Sequence, residues 1–213
     1  MKEQYPFCLK SLPYEYDAMT PYISERTMTV HHTRLLSGYV KELNSATKQN
    51  PQYKELSLSE IYLKASKNND ASSEKMQHLS AAVYNHYLFF AILAPTEDSC
   101  IRSPIGKLRD AIRQKYKTVE NFILTFRESA LRLRGSGWIF LCKNEQGEPA
   151  ITVCKNHSMP SPERYRPIAV LDMWEHAYFC DYYDKKKDYC ENYFRLINWK
   201  LAELLWTESI IYK

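Results

Sequence analysis

No run of about eighteen apolar residues occurs in the 213-residue chain, so no segment reads as a bilayer-spanning helix. The opening Met-Lys-Glu-Gln-Tyr-Pro has neither the apolar stretch of a secretion signal nor the Arg- and Ser-rich character of an organelle-targeting segment. The expectation is a cytoplasmic chain with no membrane partner. There is no Cys-x-x-Cys pair either. Cys8, Cys100, Cys142, Cys154, Cys180 and Cys190 are widely spread, which fits reduced, buried thiols better than a disulfide framework or a zinc knuckle. No basic run marks a nucleic-acid groove: the formal net charge is only +4, the basic residues are scattered, and Lys185-Lys186-Lys187 reads as a solvated patch. That charge would exert a mild pull on a small anion. Internal repeats and low-complexity segments are also absent.

What is present is enough apolar content, 45% of residues, to build a sizeable core. Up to about Leu93 every periodic segment reads as helix, with Ser24 and Ser57 as N-caps and Glu60 completing a capping box with Ser57. A polar, proline-bearing stretch from Ala94 to Pro104 then looks like a link. Beyond it the spacing predicts helices over Ser103–Tyr116 and Thr118–Leu133. Next come β-rich runs at Trp138–Lys143 and Ile151–Cys154, joined by a Gly-containing turn, and a third apolar run at Pro167–Leu171. The last 25 or so residues return to an amphipathic helix. The fold class is therefore α+β, divided into residues 1–94 and residues 95–213.

Candidate chemistry sits in three places. On a helix, His31, Leu35 and Tyr39 fall four apart and share an inward face, with His32 turned aside. His86 lies on a face otherwise made of Ala82, Phe89 and Phe90. Each of these histidines, alone, reads more readily as a hydrogen-bonded core residue than as a ligand. The third place is Leu171-Asp172-Met173-Trp174-Glu175-His176-Ala177-Tyr178, where a carboxylate and an imidazole four apart can converge on one ion at a strand end. Trp174 and Tyr178 would form a dry wall around them. A strand-end salt bridge is the competing reading. Three histidines and one aspartate suit zinc, iron or manganese, and the donor set does not choose among them. His32 and His78 read as structural or solvated.

Taken in order, Leu12-Pro13-Tyr14 with Tyr16-Asp17-Ala18, His31-His32 with Tyr39, Asn85-His86, Gly135-Ser136-Gly137-Trp138 and Asp172-x-Trp174-Glu175-His176-Ala177-Tyr178 resemble the signatures of the iron/manganese superoxide dismutases. The resemblance runs from about residue 12 to Trp199. It implies an N-terminal helical hairpin, a C-terminal α/β domain with a small antiparallel three-stranded sheet, and between them one metal ion held by His31, His86, Asp172, His176 and a solvent molecule. It further implies superoxide as the small anionic substrate, converted to dioxygen and hydrogen peroxide. That reaction needs a metal with 2+ and 3+ states and so excludes zinc. Trp138 and Trp174 match the family's aromatic wall, Tyr39 its entrance phenol, and Glu175 the residue that reaches a ligand His of the other subunit. The last match implies a homodimer or a pair of dimers.

Four positions depart from the family's common patterns. Ala82 stands where iron enzymes commonly carry a Gln, and His157 aligns with the Gln that manganese enzymes supply from the hairpin side. The resemblance then implies that His157 contacts the metal-bound solvent and favours manganese, with iron as the alternative; an exposed loop His is the plainer reading. Leu35 and Phe179 replace a His and a Tyr that hydrogen-bond across the family's dimer interface. Two rival functions are a catalytically silent metal-binding homologue and a zinc hydrolase, which would need an open coordination position and a general base.

Overall fold

Hydroxyl and carboxylate caps punctuate the N-terminal half where the sequence places them. In the computed structural model, which describes residues 4–95 and 102–208, Ser24 Oγ accepts from the Thr27 amide at 3.2 Å and opens α1 (Glu25–Val30). The helix continues through a π-helical turn, His31–Leu36, into α2 (Ser37–Gln49). At α3 (Leu58–Ala65) the Glu60 carboxylate accepts from the Ser57 amide at 2.8 Å and the Ser57 side chain accepts from the Glu60 amide, as the capping box predicts. Asp70 caps α4 (Ala71–Ile92) through the amides of Ser72 and Ser73. From Leu79 to Phe90 every residue of α4 is buried, because the helix packs against α2, α3 and the sheet.

The π turn corrects one expectation. A turn with i→i+5 bonding holds one residue more than an α-turn, so the apolar stripe shifts by one position. Leu36, 1% exposed, fills the core, while Leu35 is only half-buried. Tyr39 still reaches the interior, one turn after Leu36.

The C-terminal half holds α5 (Gly106–Tyr116), α6 (Val119–Arg132), three strands, α7 (Glu175–Tyr182), α8 (Lys186–Leu196) and α9 (Trp199–Thr207). Helix α5 begins three residues later than expected, because its cap comes from afar: the Glu203 carboxylate of α9 accepts from the amides of Lys107 (2.9 Å) and Leu108 (2.7 Å). Most of the Ala94–Pro104 link, with Cys100, lies outside the described residues. The final amphipathic stretch is two helices and not one. Ile197 interrupts it by bridging to Leu93, with the Ala94 amide on Leu196 O (2.8 Å) and the Asn198 amide on Ile92 O (2.7 Å). Asn198 then caps α9 at the Leu201 amide. This short bridge ties the end of α4 to the C-terminal half.

Strands β1 (Gly137–Asn144), β2 (Pro149–Lys155) and β3 (Tyr165–Asp172) form one antiparallel sheet in the order β2-β1-β3. Each extends beyond its apolar run, so Asp172 is the last residue of β3 instead of following it. The register sets Trp138 opposite Asp172 on one side and Cys154 on the other, and residues facing each other across a ladder share a face of the sheet. Gly137 lets β1 and β2 approach: a Cβ there would collide with the Cys154 carbonyl oxygen. Gly137→Ala is expected to destabilise the fold by about 1–3 kcal/mol through overpacking. A urea midpoint equal to the wild type's would show that the strands have room to spare.

Candidate metal centre

Four side chains from four elements meet between the two halves. His31 comes from the π turn, His86 from α4, Asp172 from the end of β3 and His176 from the first turn of α7. One donor atom from each lies within 4.8 Å of the others. Around Asp172 Oδ2 stand His176 Nε2 at 3.2 Å, His31 Nε2 at 3.3 Å and His86 Nε2 at 3.9 Å. His86 Nδ1 lies 2.7 Å from the Ala82 carbonyl, which can only accept, so Nδ1 carries the hydrogen and Nε2 presents its lone pair inward. The Nε2 atoms of His31 and His86 are buried and make no hydrogen bond. Buried unpartnered nitrogens are costly, and a metal ion is the partner that such a donor set fits.

The electrostatics agree. Burial pushes the pKa of His31 down, with Asp172 opposing, and pushes that of His86 well down, so both imidazoles are in the neutral form that ligation requires. Burial raises the pKa of Asp172, but the imidazoles of His176 and His31 outweigh it and hold the carboxyl well below the usual range. Its other oxygen, Oδ1, accepts from the Trp174 amide at 2.8 Å, and its backbone carbonyl accepts from Tyr189 of α8 at 2.9 Å.

Beside the ligands runs a second constellation. Trp138 Nε1 donates to His157 Nδ1 at 3.2 Å, and His157 Nε2 lies 2.9 Å from the Tyr39 hydroxyl. Indole can only donate, so Nδ1 is the acceptor, and the neutral ring carries its hydrogen on Nε2, aimed at Tyr39. His157 is 3% exposed and stacks on Trp174 at 4.3 Å, which overturns the exposed-loop reading of this residue. Burial pulls its pKa down to about 3, so it stays neutral. Its loop is held by Asn85, next to ligand His86, whose amide donates to the Ser158 carbonyl at 3.0 Å. The ring of Trp138 meets His86 at 4.9 Å, and Trp174 meets His176 at 5.9 Å, so both tryptophans wall the site. Tyr178 is buried but packs on Tyr189 at 5.3 Å, behind Asp172, and not on the ligands. Glu175 and Phe179 face outward. His32 stays outside, between the Tyr16 hydroxyl and the Lys10 carbonyl.

One neighbour escaped the sequence reading. His78 places its ring 5.0 Å from that of His157 and 6.4 Å from that of Tyr39. A signal existed, since His78, Ala82 and His86 succeed each other at one residue per turn on α4. For Tyr189 no local signal existed.

A helical half and an α/β half that bring three imidazoles and one carboxylate together have the layout of a metal-binding protein with one candidate site. Residues 6–94 match the model for iron/manganese superoxide dismutases, alpha-hairpin domain, and residues 104–204 match that for the C-terminal domain of the same family. The proteins named superoxide dismutase [Mn/Fe] 2 from Staphylococcus aureus strains Mu50, N315 and MW2 are each 34% identical to the chain over 200 residues, 94% of it and 97% of theirs. The chain belongs to the iron/manganese superoxide dismutase family, a family of oxidoreductases. The zinc-hydrolase rival finds no support in these matches, which are to superoxide dismutases in both halves of the chain.

With no spare donor in the set, His31→Ala, His86→Ala, Asp172→Ala and His176→Ala are each expected to lower metal occupancy at least tenfold. Elemental analysis of the purified variants checks this. Full occupancy in any one would remove that residue from the set.

Proposed function

We propose that the chain disproportionates superoxide to dioxygen and hydrogen peroxide at a single redox metal held by His31, His86, Asp172 and His176. The observation that carries this is the convergence of their donor atoms beside an unbroken hydrogen-bonded path, Trp138–His157–Tyr39. When bound, manganese or iron supplies one-electron chemistry between 2+ and 3+ states. The chain supplies the rest. The tryptophans exclude water, Trp138 fixes the tautomer of His157, and His157 directs its one N–H to the Tyr39 oxygen. The Tyr39 O–H is then free to donate toward the substrate. Burial and the charge of Asp172 raise the Tyr39 pKa, which keeps it a phenol. The silent-homologue alternative has no observation in its favour, since each of these parts is in place. Superoxide decay followed after a radiolysis pulse tests the reading: metal-loaded protein should remove many equivalents, and stoichiometric consumption would refute it.

Manganese is the metal we favour, with iron as the alternative. The buried Ala82 leaves only a methyl group on the α4 side of the site, so the tuning group comes from the loop after β2 as His157. An imidazole bound through Nδ1 offers one N–H where an amide offers two. The hydrogen expected to reach the metal-bound solvent is thus shared with Tyr39. Replacing His157 with Gln is expected to shift the ratio of manganese-form to iron-form activity several-fold while changing stability little. An unchanged ratio in metal-reloaded protein would remove His157 from metal tuning.

The working unit we propose is a homodimer in the cytoplasm, with residues 1–94 and 95–213 as its two domains. Support for the dimer is the exposure of Glu175 and of Phe179, 49% exposed, on either side of His176, which leaves Glu175 available to a second copy. Support for a reducing compartment is that the described cysteines, Cys8, Cys142, Cys154, Cys180 and Cys190, are all free thiols. Support for the division is that the two family models leave only residues 95–103 between them. Leu35 and Phe179 would then meet across the interface. Losing both polar ends together avoids stranding one, at about 1–3 kcal/mol. Across the interface the proton path then finds no polar side chain beyond Tyr39. Tyr39→Phe should therefore slow peroxide formation, and Leu35→His alone should not accelerate it, because Phe179 cannot accept a hydrogen bond. Pulse-radiolysis kinetics would show the reverse for Leu35→His if the pair were not coupled.

A further inference from the structure

Peroxide formation consumes two protons, and the groups nearest the substrate are poor sources of them. Tyr39 stays a phenol, and both ring nitrogens of His157 are engaged, by Trp138 and Tyr39. A supply from water has to arrive at their outer side. There the structure sets one further imidazole. His78 stands edge-on to His157 at a ring separation of 5.0 Å and to Tyr39 at 6.4 Å. Its side chain is exposed while His157 is buried, so it lies between bulk water and the path. Among the described residues it makes no hydrogen bond, which leaves both ring nitrogens free for solvent. The titratable groups around it are Tyr39 and Glu42 of α2 and His157 of the loop after β2, and of these Glu42 is the carboxylate that acts on it.

We propose that His78 is the outer proton donor of the site, handing protons from water to Tyr39 for the peroxide-forming half of the reaction. The inference rests on the dismutase reading above. No electron moves in the step: an N–H bond of the His78 imidazolium breaks, the proton passes through a water to the Tyr39 oxygen as the phenol's own proton goes to the reduced substrate, and water reprotonates His78. A separation of 6.4 Å between rings is too long for a direct bond and suits one bridging water. His78 acts through Tyr39 and is a positioning residue in that sense. Desolvation lowers its pKa, the Glu42 charge opposes that shift, and unlike the buried His157 its ring is open to exchange with water.

Two readouts on the metal-loaded protein test the proposal. The pH dependence of His78 acylation by diethyl pyrocarbonate, mapped by mass spectrometry, reports when the ring is neutral. The peroxide-forming rate after a radiolysis pulse, measured against pH, should fall as pH rises through that same inflection. Glu42→Gln removes the charge that favours the imidazolium, so both inflections should move together to lower pH. In His78→Gln the rate inflection should vanish, with the rate below it reduced about tenfold, and free imidazole should restore the rate in His78→Ala. A His78→Gln enzyme with the wild-type pH profile would overturn the proposal. So would a Glu42→Gln enzyme whose labelling inflection moves while its rate inflection does not. A metal-loaded wild type that leaves superoxide untouched would overturn the dismutase reading and this one with it, and that result is visible before any variant is made.

Discussion

Asp172 is a carboxylate with no exposed surface, and a charge buried that deeply loses several kcal/mol of hydration that its neighbours must offset. The rest of the structure is arranged around that constraint. Its backbone is fixed as the last residue of β3, its carbonyl is held by Tyr189 of α8, and Oδ1 is held by the first amide of the turn into α7. Only Oδ2 is left, and three imidazoles gather on it. Burial keeps His31 and His86 neutral, and a metal ion would complete the charge balance. The sheet supplies the frame: pairing across β1 and β3 sets Trp138 beside Asp172, and the close β1–β2 approach at Gly137 leads directly into Trp138.

The two halves contribute different things. The helical half delivers His31 and His86 from helices that pack into its core, and the α/β half delivers the carboxylate, the third imidazole and the tautomer-fixing indole. Their joint is small but specific, with the Leu93–Ile197 bridge closing the end of α4 and Asn85 clasping the loop of His157. Residue 85 touches one constellation and residue 86 belongs to the other. A displacement of α4 would thus disturb the candidate metal donors and the Trp138–His157–Tyr39 chain together.

Much of this was legible in the sequence, for reasons that differ by residue. Ser24, Ser57 and Glu60 act locally, so their caps could be read from adjacent residues. The three strands carried their apolar runs, and the four ligands sat in motifs specific enough to carry a family resemblance. What could not be read depends on contacts distant in sequence. The π turn after His31 moves the core position from Leu35 to Leu36, although the sequence there fits an α-helix equally well. Helix α5 starts where Glu203, far along the chain, caps it. The last amphipathic stretch splits because Ile197 pairs with Leu93. His78 carried its helical spacing openly, yet only the fold shows that His157 folds back over it.

The choice at Asp172 and its three imidazoles lies between one metal site and a buried salt-bridge cluster. Anomalous diffraction from crystals of metal-reconstituted protein, with data on either side of the manganese and iron edges, tests it most directly. The account predicts a single peak bonded to Asp172 Oδ2 and to the Nε2 atoms of His31, His86 and His176. A stoichiometrically loaded crystal with no peak among these four atoms, and His31 and His176 still paired to Asp172, would contradict it.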